Sequence, residues 1–271
     1  MLTDKKIAVL GAGKLGETLI RGLIEAEVIN TQNLVVTAGH QSRLDQLRGR
    51  FDVTGTLSNP EAAQSADIII LAVKPQTVPL VLSEIRDALK PAQLLISVAA
   101  SVSIAFIEKH LALAVPVIRA MPNTPCLLKK GMTGISPGAN AAAGHVELAK
   151  FIFDAVGRTV VVDEKHMDAI TGLSASGPAF IYIVIESLAE AGVKVGLPRD
   201  IATELAAQTV LGAGAMVLET AEHPAKLKDM VTTPAGCTID GILELEDGGL
   251  RVTLIKAVVK ATSRAKELLE T

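Results

Sequence analysis

Three glycines near the start of the chain have the spacing of a phosphate-binding turn. An apolar run over residues 7–10 leads directly into Gly11, Gly13 and Gly16, and apolar residues then recur at helical spacing. Gly11 would allow a tight turn, Gly13 would admit a pyrophosphate, and Gly16 would let the helix pack on the strand. The helix N-terminus would face the phosphates, although any tight strand-to-helix turn also favours glycine. The predicted dinucleotide turn comprises Gly11, Ala12, Gly13, Lys14, Leu15 and Gly16.

The residues after the second predicted strand indicate which dinucleotide is bound. An NAD-selective site places Asp or Glu about 20 residues beyond the glycines, where it holds the ribose hydroxyls. Residues 37–43 contain no acid and instead include His40, Ser42 and Arg43. A guanidinium here suits the 2′-phosphate of NADP, although an arginine on the first turn of a surface helix is also an ordinary solvated residue. The sequence therefore predicts NADPH as the cofactor, with NADH as a weaker substitute.

Three further loops follow predicted strands, at the edge where open parallel sheets bind ligands. They cover residues 72–75, 98–101 and 121–125. Small residues and prolines there would let a flat ring lie against fixed backbone, but each loop alone is ordinary, and Lys74 could equally be a solvated lysine. The first loop consists of Ala72, Val73, Lys74 and Pro75.

A second candidate anion site lies in the sequence VTTPAGCT, residues 231–238. Pro234 fixes the turn, Gly236 frees the backbone, and Thr238 stands at the start of a predicted helix. Consecutive N–H groups would face an anion, such as the carboxylate of a substrate. Thr238 could also be a plain helix N-cap.

The residue types that are missing narrow the chemistry. No HExxH motif occurs and the five histidines are scattered, so no metal site is predicted. Reducing a ketone usually requires Lys, His or Tyr as proton donor, and residues 174–182 offer only Ser174, Ser176 and Tyr182. An imine nitrogen can be protonated before hydride arrives, so an imine substrate needs no strong protein acid.

Composition limits the class of protein. The chain has 271 residues and a net charge of −3, from 26 basic and 29 acidic residues, which predicts no nucleic-acid partner. The sequence predicts no apolar run of the roughly 18 residues that a membrane span requires and no signal peptide, so no membrane partner is expected. Cys126 and Cys237 lack metal-ligand spacing. A cytoplasmic protein with reduced thiols is predicted.

Short β-rich runs alternate with helical stretches up to residue 162, and only helical patterns follow. We therefore predict an α/β chain, with a Rossmann-type doubly wound parallel sheet over residues 1–162 and an all-α domain over residues 163–271. Pro178 should kink or restart the first helix of the second domain. The predicted strands cover residues 7–10, 33–37, 67–73, 93–98, 115–119 and 159–162. The predicted helices cover residues 16–26, 42–50, 77–89, 103–110, 141–156, 165–191, 199–222, 224–231, 238–246 and 249–269.

One predicted helix is apolar nearly all round. Between residues 205 and 218 only Gln208 and Thr209 are polar. Such a helix is buried on most sides, and about 110 residues cannot easily enclose it, so a partner subunit is expected as its cover. Burial against the first domain is the alternative.

Five segments resemble one enzyme family: LGAGKLG, LAVKP, MPNTP, DAITGLSASGPA and HPAKLKDMVTTPAGCTIDGILELEDGGLR. Together they are similar to pyrroline-5-carboxylate reductase over nearly the whole chain. The resemblance implies NADPH-dependent reduction of 1-pyrroline-5-carboxylate to proline. It also implies a Rossmann domain followed by a helical dimerisation domain, with dimers that can assemble into decamers.

The resemblance also assigns roles to individual residues. Gly11, Gly13 and Gly16 would hold the pyrophosphate, and Thr238 would be the catalytic hydroxyl beside the ring nitrogen. The carboxylate-binding turn would comprise Thr233, Gly236, Cys237 and Thr238. The remaining cofactor contacts would be Asn59 and residues 72–75 on the adenosine side, Val98 and Ala100 along the cofactor, and Asn123 and Glu164 near the nicotinamide.

Four positions depart from common family patterns. Ala221 replaces a Glu of some relatives, with Glu222 adjacent, and Met230 replaces an Asn; Ser101 and Ala235 replace glycines.

Other interpretations of the sequence are another imine reductase or a 3-hydroxyacid dehydrogenase of the same architecture, or a nucleotide-sensing protein without catalysis. The absence of Lys after residues 176–178 argues against the hydroxyacid enzyme, and the turn at Thr238 argues against a sensor.

Overall fold

A computed structural model of the protein describes Leu2 and residues 4–267. The chain forms two compact units. The first comprises the described residues up to Ser176 together with residues 261–267, and the second is Gly177–Lys260.

The first unit is built on one eight-stranded sheet. Its strands are β1 (Ile7–Leu10), β2 (Leu34–Thr37), β3 (Thr54–Thr56), β4 (Ile68–Leu71), β5 (Leu94–Ser97), β6 (Val117–Met121), β7 (Gly131–Pro137) and β8 (Gly157–Val161). Their order is β3-β2-β1-β4-β5-β6-β7-β8, which contains the strand order of a doubly wound dinucleotide-binding fold. Every neighbouring pair is parallel except β6 with β7. The predicted Rossmann-type sheet is confirmed, with one antiparallel pair that was not expected.

The central strands are apolar on both faces because helices cover both sides of the sheet. β4 reads IIIL and is buried along its whole length. Side chains alternate along β1, so that Ile7 and Val9 enter one apolar cluster while Ala8 and Leu10 enter the other. Apart from Phe153 and Cys126, the buried residues of both clusters are aliphatic.

In the described part of the chain, seven α-helices accompany this sheet, and the apolar faces of six of them, α1 to α6, close the two clusters. The first of them buries Leu19, Ile20 and Leu23. The helices are α1 (Lys14–Glu25), α2 (Gln41–Phe51), α3 (Asn59–Ser65), α4 (Val78–Ile85), α5 (Ile104–His110), α6 (Ala143–Asp154) and α7 (Met167–Ile170).

Three elements of the first unit, β3, β7 and α3, were not predicted from the sequence. β3 is only three residues long and reads TGT, and α3 is short and largely polar. β7 contains two glycines and ends at Pro137. Pairing with neighbouring strands, rather than local propensity, therefore forms these strands. An antiparallel pair needs no crossover helix, which is why β7 can follow β6 after a short loop.

The second unit is helical. It contains α8 (Gly177–Lys194), α9 (Arg199–Thr220), α10 (Pro224–Met230) and α11 (Cys237–Asp247), and α12 (Leu250–Glu267) contributes to both units. The helix predicted over residues 165–191 is interrupted by a π-helical turn at Thr171–Ala175, and α8 restarts just before Pro178. A proline suits this first turn because the missing N–H would be unpaired there anyway. The last two residues of the helix predicted to end at residue 269, Leu268 and Leu269, lie outside the described residues.

The helical unit exposes a large amount of apolar side chain. Ile183 on α8 is 62% exposed, and Leu211 and Leu218 on α9 are 57% and 60% exposed. Within the single chain, α9 buries only Ala202 and Ala206. Contiguous exposed apolar surface marks an interaction site, in agreement with the expectation that something outside the single chain covers this helix.

Two stretches are long and apolar enough to cross a membrane by length and composition alone, namely Glu164–Lys194 and Arg199–Thr220. The sequence expectation that no segment reaches this length is wrong. Core helices of soluble proteins pass the same test, and a helical surface covered by a second protein has the same composition. Length and hydropathy therefore do not distinguish a bilayer from a partner subunit here.

If a second copy covers α9, a charge at residue 211 would be buried without a partner, which is costly. We expect Leu211→Glu to dissociate or unfold the assembly, as measured by light scattering with circular dichroism. Leu80→Glu is the matched control, because Leu80 is an equally exposed leucine (61%) on α4 of the first unit. It should leave the molar mass unchanged. A wild-type protein that is a well-folded monomer in dilute buffer would contradict this expectation.

Candidate active site

The glycine turn after β1 is shaped by close contacts. Gly11 has a φ of +85°, and a Cβ at this position would collide with Val73. At Gly16 a Cβ would lie 2.8 Å from the carbonyl oxygen of Gly11, whereas a Cβ at Gly13 would meet no atom within 4 Å. The tight turn and the close helix packing predicted for Gly11 and Gly16 are therefore present. Gly13 faces open space, as the approach of a ligand to the backbone requires.

Thr37, at the end of β2, holds this turn in place. Its hydroxyl accepts a hydrogen bond from the Gly11 N–H (3.0 Å) and donates one to Asn59 Oδ1 (2.7 Å). The Asn59 amide in turn donates to Glu84 (2.7 Å). Sequence reasoning missed Thr37, although a buried threonine at the end of a strand next to the glycine turn is a usable signal. Asn59, expected to contact the adenosine side, is anchored in this network.

A cavity of about 250 Å³ lies at the carboxyl ends of β1, β2 and β4. It brings together three segments that the sequence analysis selected separately: the glycine turn, the residues after β2, and the residues after β4. Thr77 is a wall residue that was not predicted. Lys14, Leu15, Gly16, Ser42 and Pro75 belong to the same segments without forming its wall. The wall is formed by Gly11, Ala12, Gly13, Ala38, Gly39, His40, Arg43, Ala72, Val73, Lys74 and Thr77.

Arg43 gives this cavity a fixed positive charge. Its Nε donates to the Ala12 carbonyl oxygen at 3.1 Å, and its guanidinium forms an ion pair with Glu17. Glu17 also pairs with Arg50. The hydrogen bond from Arg43 is the main reason that the pKa of Glu17 lies below its usual range, with burial acting in the opposite direction.

Asn123, expected near the nicotinamide, joins three parts of the first unit. Its Oδ1 accepts the Met132 N–H (2.9 Å), and its Nδ2 donates to the Ser174 carbonyl oxygen (3.2 Å). Ser174 lies in the π-helical turn, where i→i+5 pairing changes which carbonyls are free to accept. The Asn123 side chain thus fixes the loop after β6 against β7 and this turn.

Glu164, also expected near the nicotinamide, is part of an ionic cluster centred on the buried side chain of Arg119. Its Oε1 accepts the Ile104 N–H at the start of α5 (2.7 Å) and a bond from Arg119 Nη1 (3.2 Å). Arg119 is 4% exposed and also pairs with Asp168 at 3.1 Å. The cluster attaches the segment before α7 to β6. It was not predicted, because its members lie 45 and 49 residues apart in sequence.

The loop after β5 contains Val98, which is buried, and Ala100, which is half-buried. Ser101 follows with a φ of +61°. Ala235 and Ala221 also have positive φ, at +59° and +54°. Two of the departures from the family pattern, Ser101 and Ala235, thus lie where the backbone conformation favours glycine.

The predicted carboxylate turn lies in the helical unit, before α11. Gly236 is the N-cap of this helix, and its N–H donates to the Thr233 carbonyl oxygen at 3.0 Å. A Cβ at Gly236 would collide with the Thr233 hydroxyl. No side chain caps the helix, so the N–H groups of its first turn remain available to an anion.

Thr238 is the second residue of α11, one position beyond exposed Cys237. The alternative that Thr238 is the N-cap is therefore wrong, since Gly236 has that position. The Thr238 hydroxyl is half-buried and has no hydrogen-bond partner among the residues that the structure describes. In the same part of the chain, no three His, Cys, Asp or Glu side chains are grouped to hold a metal ion.

Removing the buried Arg119 charge should cost much more stability than removing an exposed one. In Arg119→Met, the partly buried Glu164 and Asp168 lose their counter-charge and a charged hydrogen bond each, and we expect a loss of about 2 kcal/mol in urea unfolding. Lys150→Met removes the partner of Asp154 in an exposed pair on α6 and should cost about 0.5 kcal/mol or less. Equal losses of unfolding free energy in the two variants would contradict this expectation.

Comparison with known proteins identifies related families in both halves of the chain. Residues 164–268 match the family described as pyrroline-5-carboxylate reductase dimerisation, and residues 6–101 match the family described as NADP oxidoreductase, coenzyme F420-dependent. The curated pyrroline-5-carboxylate reductase of Methanosarcina acetivorans is 43% identical, covering 98% of this chain and 99% of that protein. The enzyme of that name from Arabidopsis thaliana is 41% identical, covering 97% of this chain and 95% of that protein.

Solved structures agree with the sequence relatives. A pyrroline-5-carboxylate reductase from Coxiella burnetii has a TM-score of 0.91 and 37% identity, with 98% of this chain and 99% of that chain covered. The pyrroline carboxylate reductase of Plasmodium falciparum, solved with NADP bound, has a TM-score of 0.89 and 32% identity, with 98% of each chain covered. This chain therefore belongs to the pyrroline-5-carboxylate reductase family.

Proposed function

We infer that this chain reduces 1-pyrroline-5-carboxylate to L-proline with NADPH, by hydride transfer to the C=N bond. The observation that carries this inference is family membership over the full length of the chain, at 43% identity to a curated relative. The two candidate anion sites described above supply what the reaction needs: one for the phosphates of the cofactor and one for the carboxylate of the substrate.

The cavity at the glycine turn fits NADPH. Gly13 leaves open space where a side chain would stand, and the N-terminus of α1 is suited to a pyrophosphate. Arg43 and His40 in the wall provide donors for the 2′-phosphate. NADPH, when bound, supplies the hydride that is added to carbon 5 of the imine.

The turn before α11 fits the substrate. We propose that Thr233, Gly236 and Cys237 hold the carboxylate, because the uncapped N–H groups of this helix start present donors to an anion. Thr238 places a free hydroxyl in the same turn, and we assign it to orient the ring nitrogen as its charge changes. Since an imine nitrogen can be protonated in solution, this hydroxyl needs to position the nitrogen but not to act as a strong acid.

The remaining assignments follow from the same function. We propose residues 1–162 as the cofactor domain and residues 163–271 as the dimerisation and substrate domain, in a homodimer that can form a decamer. The family match over residues 164–268 and the exposed apolar side chains of α9 support a partner subunit, rather than a bilayer, as the cover of this helix.

We propose no nucleic-acid partner, because a net charge of −3 provides no positive electrostatic field to attract nucleic acid. We propose a cytoplasmic location.

The proposed reaction is tested directly with the purified protein. The absorbance of NADPH should fall when 1-pyrroline-5-carboxylate is added, with one proline formed for each NADPH consumed, and NADH should react more slowly. A 3-hydroxyacid should give no turnover in the reverse direction. Binding of NADPH without oxidation in the presence of 1-pyrroline-5-carboxylate would favour a nucleotide sensor and contradict the proposal.

Thr238→Val removes the hydroxyl while keeping the side-chain shape. Loss of one positioned hydrogen bond costs about 1–3 kcal/mol in the transition state, so we expect turnover to fall about ten- to a hundredfold. NADPH affinity and the melting temperature should stay nearly unchanged.

The control for this variant is Thr253→Val on α12, because the Thr253 hydroxyl already donates to the Gly249 carbonyl oxygen at 3.0 Å. It should keep nearly wild-type turnover. Wild-type turnover in Thr238→Val would refute the catalytic assignment.

A further inference from the structure

Glu17, on the first turn of α1, lies where three arginine side chains converge. Arg43 and Arg50 each form an ion pair with it, and Arg21 lies 3.9 Å away. Its side chain is only 15% exposed. The surrounding positive charge and the Arg43 hydrogen bond keep this carboxylate ionised at neutral pH.

In the part of the chain that the structure describes, Arg43 alone of these three arginines forms part of the cavity wall at the glycine turn. Arg21 and Arg50 instead line a separate surface depression. Arg43 thus connects two environments: its Nε is bound to the Ala12 carbonyl oxygen of the glycine turn, and its Nη2 is bound to Glu17. Glu17 itself is not part of the cavity wall, so its hydrogen-bond link to a ligand there runs through Arg43.

We propose that Glu17 sets the strength of the preference for NADPH over NADH, by competing with the 2′-phosphate for the guanidinium of Arg43. This inference rests on the proposed function, since it requires an NADPH site at this cavity. A carboxylate that is hydrogen-bonded to a guanidinium occupies a donor and offsets a charge that a phosphate would otherwise use. Glu17 therefore weakens the contribution of Arg43 to binding the 2′-phosphate, while its hydrogen bond keeps Arg43 beside the glycine turn.

The neighbouring arginines limit how much Glu17 weakens the binding of the 2′-phosphate by Arg43. Arg50 and Arg21 neutralise Glu17 from the side away from the cavity. The four side chains together carry a net charge of +2, so the region still attracts an anion. The preference for NADPH over NADH then depends on all the charges around Glu17 and not on Arg43 alone.

The test separates the charge of Glu17 from its hydrogen bond. Glu17→Gln keeps an acceptor oxygen for Arg43 and removes the charge. We expect the ratio of affinities for 2′,5′-ADP over 5′-AMP, measured by isothermal titration calorimetry, to rise about three- to fivefold, the size typical of a partly exposed charge pair. The ratio of kcat/KM values for NADPH over NADH should rise in parallel.

Glu25→Gln is the matched control. Glu25 ends the same helix and the substitution changes the net charge equally, but Glu25 lines the depression with Arg21 and not the NADPH cavity. This variant should leave the affinity ratio unchanged. Combining Glu17→Gln with Arg43→Ala should abolish the gain, because the interaction is then absent. Unchanged melting temperatures and unchanged binding of 5′-AMP would confirm that the variants are folded.

Three results would overturn the proposal: an affinity ratio that is unchanged or lower in Glu17→Gln, an equal rise in Glu25→Gln, or a gain that persists without Arg43. A wild-type protein that binds 2′,5′-ADP no better than 5′-AMP would overturn it as well. None of these outcomes decides whether the protein oxidises NADPH when 1-pyrroline-5-carboxylate is added. Conversely, a protein that shows the predicted ratio change but does not oxidise NADPH would refute the proposed function and keep this inference.

Discussion

The close packing of the glycine turn against its neighbours is the constraint on which the cofactor-binding unit depends. Gly11 lies against Val73 and bends with a positive φ, and Gly16 lies against the carbonyl oxygen of Gly11. Thr37 holds the turn from the other side, with its hydroxyl on the Gly11 N–H and its carbonyl oxygen on the Ala12 N–H (2.8 Å). These contacts orient the start of α1 toward the cavity. Within the turn they leave open space only at Gly13. The cavity residues that follow β2 and β4 lie around this turn.

The proposed reaction uses one physical device twice. The turn at Gly11–Gly16 and the turn at Gly236 each place a glycine where a side chain would collide, and each leads directly into a helix whose first N–H groups have no side-chain cap. Such a helix start favours an anion through its free donors and its dipole. We propose that this device binds the phosphates of NADPH in one unit and the carboxylate of the substrate in the other. The guanidinium of Arg43 adds a positive charge beside the first of these turns.

Local sequence patterns were sufficient to predict the elements whose formation depends on residues that are close together in the chain. The buried runs of β1 and β4, the glycine turn and the helices of the second unit follow from periodicity and turn chemistry. The pairs Arg43–Glu17 and Arg119–Glu164 could not be predicted, because they join residues 26 and 45 positions apart with no pattern linking them. β7 and the π-helical turn depend on tertiary contacts in the same way. The contacts with cofactor and substrate remain predictions that were made from the motifs and from the family resemblance.

We infer that the chain transfers a hydride from NADPH to carbon 5 of 1-pyrroline-5-carboxylate. The most direct measurement is a reaction with NADPH carrying deuterium at the transferred position of the nicotinamide ring, followed by mass spectrometry of the product. We expect proline that contains one deuterium atom, located at carbon 5. Proline without the label, or no proline despite consumption of NADPH, would contradict the claim.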